Sequence, residues 1–141
     1  MKVAHSLVIV LALAATACGS VRTMTGGSGR SHGAGADVPV WVDDGFLSVG
    51  EEPIRRKAND NAPVIFKLDN DSQTDLYKFP ADAVEFVPPT TQFQCATQPN
   101  ETMVKCSRTG TQTGSFKYKI SVVLRSDPTR RTTLDPFIIT R

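Results

Sequence analysis

Reactive chemistry in this chain would have to come from three cysteines (Cys18, Cys95, Cys106), two histidines (His5, His32) and a scatter of carboxylates. Nucleophilic catalysis needs an activated Ser, Cys or Thr with a base in reach. Both imidazoles fall in the first 36 residues, and His32 sits in a Gly-rich stretch that would not preorganise a base. The doublets Asp43-Asp44 and Glu51-Glu52 suggest the paired carboxylates of glycoside hydrolysis. Adjacent residues of a strand point to opposite faces, so neither doublet is itself a working pair; turn and edge positions suit them better. A carboxylate enzyme would need convergence from different strands, for example Asp44 with Asp69 or Asp82. Asp69-Asn70-Asp71 has the look of calcium ligation, but no Gly or distal Glu completes a loop pattern. No catalytic residue, metal site or cofactor is assigned on this basis.

The cysteines need the N-terminus to be read first. Lys2 and the terminal amine precede an apolar run from Leu7 to Ala15, the right length for a signal h-region and too short to span a bilayer. The alternative is a short buried helix. Next comes Ala15-Thr16-Ala17-Cys18-Gly19-Ser20. This resembles the lipobox of bacterial lipoproteins, departing from it at Ala15, where Leu is commoner. The resemblance implies diacylglyceryl transfer to the Cys18 thiol, cleavage between Ala17 and Cys18, and acylation of the new amine. An ordinary secretory signal cleaved after Ala17 is the alternative. Two or more acyl chains anchor durably where one does not. Gly19, in place of an Asp, fits the outer membrane facing the periplasm if the host is Gram-negative.

With Cys18 assigned to lipid, Cys95 and Cys106 remain as a pair in an oxidising compartment. They flank a hairpin turning at Asn100-Glu101, a register that sets the two opposite each other. A cross-strand disulfide is the expectation, and closing a loop of about twelve residues would contribute ~3 kcal/mol in the loop-entropy model. A metal site would want further soft or imidazole ligands, and a redox pair would normally be a Cys-x-x-Cys at a helix start.

The chain then divides into a signal peptide (1–17), a lipidated Cys with a Gly/Ser-rich tether (18–36) and one folded domain (37–141). The tether reads as flexible coil with a root-mean-square reach of roughly 20–25 Å. From 37 onward 13 Lys and Arg stand against 14 Asp and Glu, a net of −1. No basic patch is evident from composition, so nucleic acid is not an expected partner. The short runs Arg55-Arg56-Lys57 and Arg130-Arg131 read as solvated edges or turns.

Strand signals fill the domain. Val38, Val40 and Val42 alternate, with Phe46–Val49 read as a continuation after Gly45. Val64–Leu68 is bounded by turn residues, and shorter candidates cover Leu76–Phe79 and Ala83–Val87. Thr91–Thr97, Thr102–Arg108, Ser115–Arg125 and Phe137–Thr140 follow, with Pro136 suiting an edge strand. Phe116, Tyr118, Ile120 and Val122 share a core-facing side, and Trp41 faces away from its neighbouring valines, packed under a loop or in an exposed patch. No helical period is sustained. The predicted class is all-β: an antiparallel immunoglobulin-like or cupredoxin-like sandwich of seven or eight strands.

The late strand Gly114-Ser115-Phe116-Lys117-Tyr118-Lys119-Ile120 after Pro63–Asp71 resembles cupredoxin-like sandwiches. Their copper requires two His and a Cys; Cys95, Cys106 and Met103 are present, but no imidazole lies in the domain, so that chemistry is excluded. Asn61–Leu68, Leu76–Phe79, Phe116–Leu124 and Leu134–Thr140 are similar to the DP-EP family of small bacterial β-sandwich proteins, with Glu52-Pro53 and Asp135-Pro136 at matching positions. That resemblance implies a fold and no activity. The expected role is a lipid-anchored, non-enzymatic binding or assembly module of the cell envelope, with an envelope protein as its partner. A carboxylate enzyme and a structural or stress-protective coat protein are the rivals.

Overall fold

The computed structural model describes residues 37–69 and 75–141. Cys18, the segment 19–36 with His32, and Asn70 and Asp71 lie outside the described residues. Eleven strands follow one another: β1 (Asp37–Asp43), β2 (Phe46–Val49), β3 (Ile54–Arg56), β4 (Val64–Leu68), β5 (Tyr77–Lys78), β6 (Val84–Phe86), β7 (Phe93–Thr97), β8 (Met103–Arg108), β9 (Gly114–Leu124), β10 (Arg131–Leu134) and β11 (Phe137–Thr140). The described residues contain no helix.

The first sheet runs β2-β1-β4-β8-β7. Its β1 alternates strictly: Val38, Val40 and Val42 are buried and Trp41 faces outward. Phe46–Val49 does not continue that strand. Asp44 and Gly45 have φ of 48° and 81°, and the chain folds back with Asp43 facing Phe46. Two residues at positive φ make a type I′ turn, whose twist matches that of a hairpin. At Gly50 the chain passes so close to β1 that a Cβ would meet the Pro39 ring at 2.6 Å.

The second sheet is organised around β9, whose eleven residues give it several partners. On one side β10 and β11 share a single register: Leu134 faces Ile120 and Phe137 faces Lys117. Asp135-Pro136 interrupts them, and there the Pro136 carbonyl accepts the Tyr118 N–H at 3.0 Å. On its other side β9 pairs with β5 and β6, while β3 pairs with β11. Pro136 therefore leads into an interior strand, not an edge. It is accommodated because it falls in the break between two strands, where its missing N–H costs no ladder bond.

The two inner faces close one core. Val40, Phe66, Leu68, Val104, Tyr118, Ile120, Val122 and Ile138 are at most 1% exposed. Tyr118 packs on Phe66 and Phe86 with ring centroids 5.4 and 6.0 Å apart, and Phe93 stacks on Phe86 at 5.0 Å. Each such apolar side chain contributes about 1.5–3 kcal/mol by leaving water.

The expected β-sandwich class holds, with two differences. There are eleven strands rather than seven or eight, because β1 and β2 are separate and the basic segments β3 and β10 are recruited by neighbours. Two pairings are parallel, β1 with β4 and β11 with β3, so both sheets are mixed. The cause is the path after β2: the chain crosses to the other sheet before β3 and returns for β4.

Side-chain and backbone bonds define the sandwich's two ends. At one, the Arg108 guanidinium at the close of β8 donates to the Lys57 and Ala58 carbonyls just after β3, and the Ala58 N–H donates to the Arg141 carbonyl. Asp37, which opens β1 beside Ile65, belongs to this end. At the other, the Phe79 N–H donates to the Glu101 carbonyl in the β7–β8 turn.

Candidate functional site

The end that holds Asp37 carries a concentration of cations. In β3 the alternation Ile54-in, Arg55-out, Arg56-in continues to Lys57 on the outer side. In β11, Ile138 and Thr140 are buried, so Ile139 and then Arg141 face outward. Parallel pairing sets Ile139 directly beside Arg55. The result is an open groove of about 190 Å³ lined by Arg55, Arg56, Lys57, Ile139 and Arg141.

These cations divide by what they touch. Arg56 is buried, 8% exposed, because strand alternation turns it inward. Its guanidinium meets the Asp60 carboxylate at 3.2 Å and also donates to the Ala62 carbonyl. Arg108 binds four carbonyls, those of Lys57, Ala58, Gly110 and Gln112, and so ties the β3–β4 and β8–β9 loops together. Arg55, Lys57 and Arg141 are exposed, and none has an ion pair among the described residues. Those three form the wall of the groove, with Ile139 as its apolar floor. Such a surface suits a phosphate or carboxylate, since a guanidinium offers a planar fork of donors and an ammonium a point charge.

Charge of the other sign collects at the far end. Asp43, Asp44, Asp69, Asp75, Glu101 and Asp127 lie there, against Lys78, Arg125 and Arg130. Much of this charge is internally matched. Glu101 takes Lys78 at 2.9 Å and Arg125 at 3.3 Å, and the Lys78 hydrogen bond holds its carboxyl below the usual range. Beside β10, Arg131 donates to both Asp82 oxygens at 2.7 and 3.0 Å, lowering that carboxyl in the same way.

Cys95 and Cys106 face each other across β7 and β8, with sulfurs 2.02 Å apart, at disulfide distance. The Gln98 N–H donates to the Met103 carbonyl, which makes that pair hydrogen-bonded and 95/106 one of the closer, non-hydrogen-bonded pairs. The carboxylates considered for catalysis are dispersed. Asp43 and Asp44 lie at the β1–β2 turn, and Glu51 and Glu52 in the crossing between sheets. Asp69 accepts the Trp41 indole N–H at 3.0 Å, and Asp82 is held by Arg131. Among the described residues no group of three His, Cys, Asp or Glu is placed to hold a metal ion.

Trp41 lies on the outer face as its alternation requires, half-buried against Gly50 and hydrogen-bonded to Asp69. Tyr118 is fully buried on the core side, and its hydroxyl has no hydrogen-bond partner among the described residues. Burial, reinforced by Glu52 and Glu51, pushes that hydroxyl far above the ordinary phenol range.

The groove is what sequence reading missed. Arg55-Arg56-Lys57 reads as a solvated edge, and the balanced charge of the domain shows no patch. One signal was present: Arg55 with Lys57, and Ile139 with Arg141, are each spaced two apart and so share one face of a strand. Only their parallel pairing turns two edge-like segments into one surface.

No protein-family model matches the chain, and no curated protein matches it in sequence.

Proposed function

We propose that this chain is a lipid-anchored binding module of the cell envelope, non-catalytic, held at a membrane through Cys18 and contacting an anionic partner through the Arg55–Lys57–Arg141 groove. The observation that supports it most is the position of those cations. None of their side chains has an ion pair among the described residues, and they stand at the end where residues 19–36 join the domain, whereas Arg131, Lys78 and Arg125 are matched by acids. A surface that keeps several cations apart from its own carboxylates retains a local positive potential despite a net charge near zero. The disulfide-distance pair of β7 and β8 suits an oxidising compartment outside the cytoplasm.

Mass analysis of the protein extracted from membranes tests the anchor. The expected species begins at Cys18 and carries acyl chains, and Cys18→Ser is expected to release the protein from the membrane fraction. A mature protein that begins elsewhere and bears no lipid would overturn the reading.

A further inference from the structure

We infer that the lower outer face of the second sheet lies against the phosphate headgroups of the membrane that bears the anchor; this rests on the lipid-anchor reading above. The groove is continuous with an apolar stripe. Phe137 faces Lys117, and the Val87 N–H donates to the Lys117 carbonyl, so Val87, Lys117 and Phe137 form one row, in which Lys117 is itself paired with Asp135 at 3.5 Å. Phe137 and Val87 are 39% and 40% exposed, less than Phe46 and Leu76 at the far end, which have no exposed basic groove beside them. The neighbouring row on the same face is Arg55, Ile139 and Ser115. Lys57 and Arg141 follow at the groove.

Basic side chains beside exposed apolar ones match the two layers of a lipid interface, phosphates outside and acyl boundary beneath. Each Lys or Arg near an anionic leaflet strengthens association about fivefold. The segment 19–36 enters the domain at Asp37, which belongs to the cationic end, and an anionic bilayer repels the acidic far end. The occupant is thus an anionic phospholipid surface, recognised through its phosphates.

The acylated full-length protein provides its own controls. Lys57 lies in the groove, while Lys67 and Lys105 are exposed on the outer face of the first sheet. The protein is reconstituted in vesicles of phosphatidylcholine alone, or of equal parts phosphatidylcholine and phosphatidylglycerol. Its amines are pulse-acetylated and read by mass spectrometry. Lys57 is expected to label about fivefold or more slowly in the anionic vesicles, with Lys67 and Lys105 unchanged. Arg55→Gln with Arg141→Gln, which keeps Lys57 as reporter, is expected to abolish most of that protection.

Equal labelling of Lys57 in both vesicles, on protein whose mass shows acylated Cys18, overturns this inference and leaves the anchor standing. Protein with no acyl group at Cys18 overturns both. Equal slowing of Lys57, Lys67 and Lys105 overturns the assignment of a face. Protection of Lys57 on neutral vesicles by glycerol phosphate alone assigns the groove to a soluble phosphate. Protection by polyglutamate but not by anionic vesicles assigns it to an acidic protein. Either result overturns the lipid assignment.

Discussion

The two ends of the sandwich carry similar kinds of residue and use them differently. At the far end Glu101 gathers Lys78 and Arg125, and the acidic turn residues are left over. At the Asp37 end the arginines divide between those that build the end and those that line it. Arg56 and Arg108 are committed to Asp60 and to backbone carbonyls, and Arg55, Lys57 and Arg141 are available. A cation's role here follows from which side of its strand it occupies. Arg55 and Arg56 are neighbours in sequence and both border the groove, yet one is exposed and the other is buried against Asp60.

The largest effect should come from breaking that distinction at Arg56. Removing one partner of a buried ion pair leaves the other uncompensated, so Arg56→Ala is expected to cost about 3 kcal/mol. Arg55→Gln, one residue away and exposed, should stay within about 0.5 kcal/mol. Urea unfolding of the two variants measures this directly, and equal costs would erase the contrast between building and lining cations.

The β7–β8 hairpin reaches both ends, with Glu101 at its turn and Arg108 at its foot. The Cys95–Cys106 crosslink lies between them. Cys95→Ser with Cys106→Ser is expected to lower stability by ~3 kcal/mol, through the unfolded chain's regained loop entropy. Comparing the unfolding midpoints of the oxidised wild type and the double variant checks it. A midpoint that did not move would mean that strand pairing alone holds the two ends together.

The smallest expected effect separates the ends by pH. Glu101 has a folded pKa below its ordinary value because Lys78, then Arg125, favours the carboxylate. A depressed pKa contributes stability that is full above the unfolded value, near pH ~4.3, and is lost as pH falls through the folded one. Glu101→Gln should therefore flatten the acid limb of stability below about pH 4. Unfolding midpoints at pH 5 and pH 3 for both proteins measure the difference.

Much of the fold was legible because strand alternation is written residue by residue. Val38-Val40-Val42, Val64-Phe66-Leu68 and Tyr118-Ile120-Val122 each declare an inner face, and all are buried. The Cys95–Cys106 register followed from one turn position. Asp44-Gly45 carried its own hairpin signal, yet reading Gly45 as a simple break concealed the reversal. β3 and β10 lacked an apolar period, since Arg55-Arg56 and Arg131-Thr132-Thr133 become strand only by bonding to β11 and β9.

By itself, then, the sequence determined the all-β class, the inner faces and the partner of each domain cysteine, because these depend on spacing within one segment or one hairpin. Tertiary structure alone decided the parallel pairings, the inward turn of Arg56 and the groove. Those depend on which distant strands lie side by side, and local periodicity does not encode that choice. A near-neutral domain thereby acquires a positive end and a negative one, since total charge counts residues while potential depends on where the fold gathers them.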